Sequence, residues 1–180
     1  MYQEGMLAFD IETTGLAYSA PDVVLTCACA YDPEAGIQAR FVPALGDDME
    51  AFFRLLDQAE QLCAFNGAKF DVPFMQQQYG LPDARVGAWQ LKLFDVFQAC
   101  KLGLDRTFSL NALLDANGME SKTDSGLNAV RMAREGDWDR LAEYCMQDTV
   151  KTYHVSNLEM ILLPSKAGVK ALTRTGFIIK

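Results

Sequence analysis

Three apolar segments in the first 42 residues limit the possible folds more than any other feature of the chain. Residues 6–12 and 36–42 alternate apolar and polar side chains, whereas residues 23–31 form an almost continuous apolar run. Alternation is typical of a strand with one buried face, and a continuous run is typical of a strand buried on both faces. Short polar or Pro/Gly segments separate the three, which predicts an antiparallel meander.

After this meander the pattern changes to helices interrupted by one or two further strands. Residues 61–66 predict a fourth strand, and residues 92–99 predict either a fifth strand or the start of a helix. Helices are predicted over 47–60, 72–80, 109–118, about 127–136 and 137–163, the last ending before Pro164. This order favours the α/β class, with a mixed sheet flanked by helices.

The composition is that of one globular domain. The chain has 180 residues, of which 50% are hydrophobic and 22% charged, so it is long enough to bury its own core. We expect this domain to span residues 1–164. No acidic residue follows Glu159, but four cations do: Lys166, Lys170, Arg174 and Lys180. Residues 165–180 are therefore predicted to be a basic tail or linker, with a phosphate-contacting tail as the alternative.

The net charge of −8 by itself argues against a general nucleic-acid binder, which usually has a basic face. A cluster of acidic residues that binds metal cations would give the same negative net charge. The five cysteines are an odd number without a Cys-x-x-Cys pair, which predicts a reducing, cytoplasmic location and no structural zinc. A single redox pair such as Cys27 with Cys29 is the alternative. Neither a signal peptide nor a membrane-spanning segment is expected.

Two carboxylates share one face of the first predicted strand. Leu7, Phe9 and Ile11 point to one side of residues 6–12, so Asp10 and Glu12 point to the other. They lie roughly 7 Å apart along the strand, and their charges repel unless a cation sits between them. The alternative is an ordinary strand end that emerges into water.

Asp148 lies at the centre of the apolar stripe of the last predicted helix. At about 100° per residue, Leu141 and Val155 fall within roughly 20° of it. A lone buried carboxylate costs several kcal/mol unless it is paired or binds a cation. A buried salt bridge is the alternative, with three candidate partners: Arg131, Arg134 and Arg140.

A fourth acid, Asp71, follows the predicted strand at 61–66 and precedes a helix. Asp71 is predicted to cap that helix or to join a site at the strand end, and both roles can coexist. Together with Asp10, Glu12 and Asp148 it forms an all-oxygen set, which favours Mg²⁺ or Mn²⁺. Two such ions about 4 Å apart promote in-line displacement at phosphorus. The only histidine, His154, is expected to be a surface or packing residue.

Three segments of the chain resemble the exonuclease motifs of the DEDD superfamily of 3′–5′ exonucleases. They are FDIETTGL (9–16), FNGAKFDVPF (65–74) and YCMQD (144–148), in the order that the family has. Position 143 is Glu where the histidine branch has His, so the tyrosine branch is indicated. The last two motifs are most similar to the proofreading domain of family B DNA polymerases and its stand-alone relatives.

The resemblance implies a ribonuclease-H-like fold with a five-stranded mixed sheet, and it implies residue roles. Asp10 would bridge two metal ions, Glu12 and Asp148 would hold the ion carrying the attacking water, and Asp71 would support the other ion. Tyr144 would orient the water. The implied activity is hydrolysis at the 3′ end of single-stranded DNA or RNA, releasing nucleoside 5′-monophosphates. The alternatives are an inactive module that binds nucleic acid or protein, and an endonuclease.

The resemblance also implies residues that contact the nucleic acid. Thr13 and Leu16 match positions at the terminal nucleotide, and Asn66 and Phe70 match positions along the strand's path. For Thr13 to Leu16 the alternative is a simple turn, and for Phe70 it is a core role. Lys122 could reach a phosphate or could be a solvated loop residue. Neither the choice between DNA and RNA nor the oligomeric state follows from the sequence.

Overall fold

The central feature of the fold is a five-stranded mixed sheet. The computed structural model describes residues 5–15, 22–104, 107–121, 126–165, 170–173 and 178–179. The strands of the central sheet are β1 (Met6–Thr13), β2 (Leu25–Asp32), β3 (Ile37–Phe41), β4 (Gln61–Ala64) and β5 (Leu93–Asp95). Their spatial order is β3-β2-β1-β4-β5.

The strand directions make this sheet mixed. β1, β2 and β3 pair antiparallel, which confirms the predicted meander, whereas β4 and β5 join on the other side of β1 in parallel. Each parallel connection passes through helices, as parallel pairs require. The predicted fold class, an α/β protein with a five-stranded mixed sheet flanked by helices, is therefore confirmed.

The helices agree with the sequence pattern except in the middle of the chain and after residue 156. Their bounds are α1 (Met49–Gln58), α2 (Asp71–Tyr79), α3 (Asp83–Leu91), α4 (Val96–Lys101), α5 (Leu110–Ala116), α6 (Gly126–Glu135) and α7 (Trp138–Ser156), with a short 3-10 helix at Pro43–Leu45. The sequence pattern did not predict α3. Only Val86 and Trp89 of this helix are buried, so its apolar period is weak, and Gly87 lowers its helix propensity.

Residues 92–99 contain both of the predicted alternatives, because β5 runs directly into α4. Asp95 ends the strand and caps the helix: its side chain accepts a hydrogen bond from the backbone N–H of Gln98 (3.0 Å). A carboxylate at this position satisfies one of the free N–H groups of the first helical turn.

The prediction that one helix spans residues 137–163 was wrong at its C-terminal end. α7 ends at Ser156, and Met160–Leu163 forms strand β6. β6 pairs antiparallel with β7 (Lys170–Thr173), which pairs with β8 (Ile178–Ile179). The side-chain amide of Asn117 also makes two hydrogen bonds to the backbone of Leu162. It donates to the carbonyl (2.9 Å) and accepts from the N–H (2.8 Å). These distant partners override the helical period of the apolar residues.

The second sheet includes part of the basic segment 165–180. Lys170 lies in β7, and its ammonium donates a hydrogen bond to the backbone carbonyl of Gly103 (3.0 Å). Lys166, Arg174 and Lys180 lie outside the described residues. In the described parts of the chain, no helix combines the length and the apolar character that a membrane crossing needs.

The two faces of the central sheet pack against different helices. Leu7, Phe9 and Ile11 of β1 face a core formed with α1, α2 and α3. On the other face, Met6 and Ala8 pack with residues of α4, α5 and α7, and β2 packs with α6 and α7 through Cys27 and Cys29. Because side chains alternate along a strand, the face that Ala8 shares with Asp10 and Glu12 is the face that α7 covers.

Candidate metal centre

Three of the four acids singled out from the sequence meet at one point in the structure. Asp10, Glu12 and Asp148 each direct one carboxylate oxygen into a group whose atoms all lie within 4.8 Å of one another. All three side chains are half-buried. Two come from β1 and one from α7, so the site depends on packing between the sheet and the last helix.

The local structure of β1 places Asp10 and Glu12 on the face covered by α7. Both lie opposite residues of β2, where Asp10 pairs with Cys29 and Glu12 pairs with Cys27. The register shifts immediately after Glu12, at the step to Thr13. A bulge of this kind ends regular pairing and redirects the chain, and such features are frequent beside active sites.

The period of α7 determines where Asp148 points. As its helical spacing predicts, Leu141, Cys145 and Val155 are buried, while Asp139 and Glu143 are exposed on the opposite side. Asp148 therefore faces the sheet from the stripe that packs on it.

The arginines proposed as alternative partners of Asp148 lie at the surface. Arg131 pairs with Glu135 four residues later on the exposed side of α6 (3.7 Å), and Arg140 pairs with Asp137 (3.4 Å). Arg134 is also exposed. Arg131 and Arg140 are thus each paired with an acid of the surface near them in sequence.

Asp71 approaches the same strand from the helix α2. It is buried, and its Oδ1 accepts a hydrogen bond from the backbone N–H of Ile11 (3.1 Å), the residue between Asp10 and Glu12. Asp71 lies outside the group of three carboxylates defined above. The N-cap of α2 is Phe70, and Asp71 is the first residue of the helix, so the predicted capping role was wrong.

The environment of Asp71 disfavours its ionised form when no cation is present. Burial raises the pKa of its carboxyl well above the usual range, and the negative charge of Asp10 raises this pKa further. The hydrogen bond from Ile11 acts in the opposite direction but does not offset these effects. A divalent cation beside Asp71 and Asp10 would remove the repulsion and favour both carboxylates.

The loop before α2 is held in an unusual conformation. Asn66 has a φ of 67°, in the left-handed region. Gly67 follows, and a Cβ at this position would lie 2.5 Å from the Cβ of Ala64 and 3.7 Å from Oδ2 of Asp71. Position 67 therefore requires glycine, because its backbone passes close to β4. This position lies four residues before Asp71, the first residue of α2.

Asp95 stabilises this loop, although it was not among the residues predicted from the sequence. Its two carboxylate oxygens accept hydrogen bonds from the backbone N–H groups of Asn66 (3.0 Å) and Ala68 (2.9 Å), in addition to the cap on α4. Asp95 is buried at the end of β5. The available signal was an acid between a strand and a helix, the same signal that drew attention to Asp71.

The residues predicted to contact a nucleic acid have different surroundings. The hydroxyl of Thr13 donates to the carbonyl of Gly15 (2.6 Å) in the chain reversal after β1. The amide oxygen of Asn66 accepts from Gln98 (3.0 Å). Phe70 is half-buried against the apolar core, with its ring 5.8 Å from that of Phe74. Leu16 and Lys122 lie outside the described residues.

Two other residues named from the sequence are also located. Tyr144 lies one turn before Asp148 on α7, is only 8% exposed, and packs in the cluster that contains Cys27 and Cys29. His154 is exposed, with its ring against those of Tyr31 and Tyr153, which agrees with the expected surface and packing role.

The chemistry of the four acids fits a divalent metal centre. Three carboxylates held within 4.8 Å of one another, with Asp71 against the same strand, concentrate negative charge that a bound cation stabilises. Oxygen ligands alone favour hard ions such as Mg²⁺ or Mn²⁺ over thiophilic ones.

Comparisons with known proteins place the chain in a family. A search of the curated proteins found no match. Among solved structures, the family B DNA polymerase from the hyperthermophilic archaeon Pyrobaculum calidifontis is similar, with a TM-score of 0.57 and 15% sequence identity. The match covers 85% of this chain and 26% of the polymerase chain, so this chain spans about a quarter of that protein.

The family model RNase_H_2, described as RNase_H superfamily, matches residues 7–159. The matched range runs from β1 to just beyond α7, so it contains the central sheet and all four acids. The five-stranded mixed sheet with its flanking helices agrees with this match, and the chain belongs to the RNase H superfamily.

Proposed function

We propose that the protein is a two-metal-ion 3′–5′ exonuclease that acts on single-stranded DNA or RNA. The observation that carries this proposal is the convergence of Asp10, Glu12 and Asp148 within 4.8 Å. The resemblance of its three motifs to the tyrosine branch of the DEDD exonucleases supplies the direction of cleavage. Further support comes from membership of a nuclease-type superfamily.

The resemblance implies a role for each acid, and the positions of the acids support these assignments. Asp10 is central, since it belongs to the group of three and its charge acts on Asp71, so we assign it to both ions. We assign Glu12 and Asp148 to the ion that carries the attacking water, and Asp71 to the other ion. When bound, the two Mg²⁺ or Mn²⁺ ions would acidify the attacking water and neutralise charge at the phosphate.

Tyr144 is assigned a positioning role for the attacking water. Its hydroxyl can both donate and accept a hydrogen bond, so it suits the orientation of a water molecule. The ring is held in the apolar cluster between β2 and α7, which restricts its motion. Thr13, Leu16, Asn66, Phe70 and Lys122 remain candidates for contact with the nucleic acid.

The decisive experiment compares end-labelled oligonucleotides, DNA and RNA, single- and double-stranded, with Mg²⁺ and with Mn²⁺. We expect a ladder that shortens from the 3′ end and releases nucleoside 5′-monophosphates. A circular single strand should survive, whereas its cleavage would indicate an endonuclease. Tight binding of oligonucleotides in the presence of chelator, without hydrolysis in Mg²⁺ or Mn²⁺, would instead indicate a non-catalytic binding module.

A further inference from the structure

A second group of metal-ligand side chains lies directly beside the carboxylates. The sulfur atoms of Cys27, Cys29 and Cys145 all lie within 4.8 Å of one another, and all three residues are fully buried. Cys27 and Cys29 are two residues apart on the same face of β2, with their sulfurs 4.0 Å apart. Cys145 reaches them from α7. Spacing along the chain does not reveal this group, because folding brings the strand and the helix together.

The spacing of these sulfurs is close to that of a thiolate metal site. A Zn–S bond of about 2.3 Å in tetrahedral geometry places neighbouring sulfurs about 3.8 Å apart. Cys27 and Cys29, at 4.0 Å, are already near this value. The third sulfur needs a displacement of at most roughly 1 Å to reach the same spacing.

The carboxylate of Asp10 lies beside the sulfur of Cys145 and is the candidate for a fourth ligand. Oδ2 of Asp10 lies 3.8 Å from the sulfur of Cys145, and the backbone carbonyl of Asp10 lies 3.6 Å from it. Three thiolates and one carboxylate form a four-ligand set that zinc accepts, while hard ions such as Mg²⁺ do not favour sulfur. Asp10 is also the carboxylate that we assign to both ions of the proposed hydrolytic centre.

A groove between β3 and α7 lies next to the buried cysteines. The groove, of about 800 Å³, is lined by Arg40, Ala142 and Met146, among others. Ala142 and Met146 belong to the same packed cluster as the three cysteines, and the carbonyl of Ala142 lies 3.6 Å from the sulfur of Cys29. Arg40 pairs with Cys29 across the edge of the sheet, where its charge offsets part of the negative charge of bound thiolates.

We propose that Cys27, Cys29 and Cys145 form a site for one thiophilic cation, such as Zn²⁺. Asp10 becomes the fourth ligand, so occupancy withdraws this carboxylate from the Mg²⁺ or Mn²⁺ centre. Zinc is then an inhibitor that competes for a shared ligand rather than a catalytic ion. The inhibitory consequence rests on the proposed exonuclease activity, whereas the binding site does not.

Binding is tested first, without any assay of activity. The full chain is reduced, freed of metal and titrated with Co²⁺, whose thiolate complexes absorb strongly in the near ultraviolet. We expect one equivalent to produce this band and one equivalent of Zn²⁺ to abolish it. The band should be lost in Cys145→Ala and in Cys27→Ala, each checked for folding by circular dichroism. It should persist in Cys63→Ala and Cys100→Ala, whose buried sulfurs belong to neither group.

Two results would overturn the site: no thiolate band in the wild-type protein, or an equal band in a folded Cys145→Ala. If Cys145→Ala and Cys27→Ala fail to fold, native mass spectrometry of the wild-type protein decides. One zinc retained against a weak chelator supports the site, and no zinc retained refutes it.

Inhibition is tested second, by titrating Zn²⁺ into Mg²⁺-dependent hydrolysis. We expect Cys145→Ala to need roughly tenfold more zinc than the wild type for half-inhibition, since loss of a ligand weakens a metal site by at least that factor. Cys63→Ala should match the wild type. Equal sensitivity of all three would refute the shared ligand. Absence of hydrolysis in the wild type without zinc would refute the exonuclease and leave the cobalt result standing.

Discussion

The backbone N–H of Ile11 donates a hydrogen bond to the carboxylate of Asp71 over 3.1 Å. This single bond ties the start of α2 to β1, at the residue between Asp10 and Glu12. It explains how a carboxylate 60 residues away in sequence reaches the candidate metal centre. It also places Asp71 where burial and the charge of Asp10 oppose its ionisation.

We predict that Asp71→Asn stabilises the metal-free protein at neutral pH. The folded-state pKa of Asp71 is raised above its unfolded value, so the folded protein binds the extra proton. The stabilisation that protonated Asp71 contributes to the folded state is fully present below about pH 4. It is lost as the pH rises from there towards the pKa of Asp71 in the folded protein. Asparagine keeps an oxygen for Ile11 and carries no charge.

The measurement is thermal unfolding in chelator from pH 4 to pH 8. The difference in Tm between Asp71→Asn and the wild type should grow in favour of the variant as the pH rises. Asp115→Asn, at an exposed position on α5, is the matched control and should show no such trend. A pH-independent difference for Asp71→Asn would contradict the prediction.

We predict that Gly67→Ala destabilises the protein and slows hydrolysis. The added methyl would lie 2.5 Å from the Cβ of Ala64 and near Oδ2 of Asp71, so the loop must shift. Overpacking of this kind costs about 1–3 kcal/mol. In Gly87→Ala, the control on α3, the added Cβ meets no atom within 4 Å, and alanine should stabilise the helix by about 0.5–1 kcal/mol. Denaturant unfolding of both variants measures the contrast, and equal effects would refute it.

Asp95→Ala should cost more stability than the loss of an ordinary helix cap. Asp95 accepts bonds from Asn66 and Ala68 as well as capping α4, and each abandoned buried donor costs about 1–3 kcal/mol. The exposed cap Asp48 accepts only from Glu50 among backbone groups of α1 in the described bonds, so Asp48→Ala should cost about 1 kcal/mol.

Unfolding free energies of the two cap variants decide this comparison. Hydrolysis adds a second measure, because the loop that Asp95 holds leads into Asp71. We expect Asp95→Ala to lower kcat in conditions where the protein remains folded, and Asp48→Ala to leave kcat unchanged. A similar loss of kcat in both variants would show that Asp95 has no specific influence on the site.

Asp148→Ala should abolish metal-dependent hydrolysis, since it removes one of the three clustered carboxylates. The fold should persist, because the substitution also removes charge repulsion within the cluster. Isothermal titration with Mn²⁺ should show weaker binding than in the wild type. Glu143→Ala, at an exposed position of the same helix, is the control. Full activity in Asp148→Ala would show that the metal assignment is wrong.

Tyr144→Phe should slow the chemical step while metal binding stays intact. The substitution removes only the hydroxyl, and loss of a group that orients a reactant costs on the order of 100-fold. Single-turnover hydrolysis with saturating Mn²⁺ gives the rate, and titration calorimetry gives the metal affinity. Tyr79→Phe, at the half-buried end of α2, is the control. An unchanged rate in Tyr144→Phe would remove Tyr144 from the proposed mechanism.

Features with a local period were predictable from the sequence. Alternation along β1 places Asp10 and Glu12 on the face opposite Leu7, Phe9 and Ile11, and the structure has this arrangement. The helical period of α7 predicts that Asp148 lies on the buried stripe. In both cases the side-chain direction follows from backbone geometry within one element, so no distant contact is needed to infer it.

Features that depend on distant partners were decided only by the tertiary structure. Met160–Leu163 continues the apolar pattern of a helix but forms β6, because β7 and Asn117 supply its backbone hydrogen bonds. Asp71 resembles an N-cap in sequence, but its carboxylate accepts a hydrogen bond from the N–H of Ile11 in β1. The meeting of Cys145 with Cys27 and Cys29 has the same origin. Each of these outcomes depends on which groups the packed sheet and helices bring together, and that proximity is created by folding rather than by spacing along the chain.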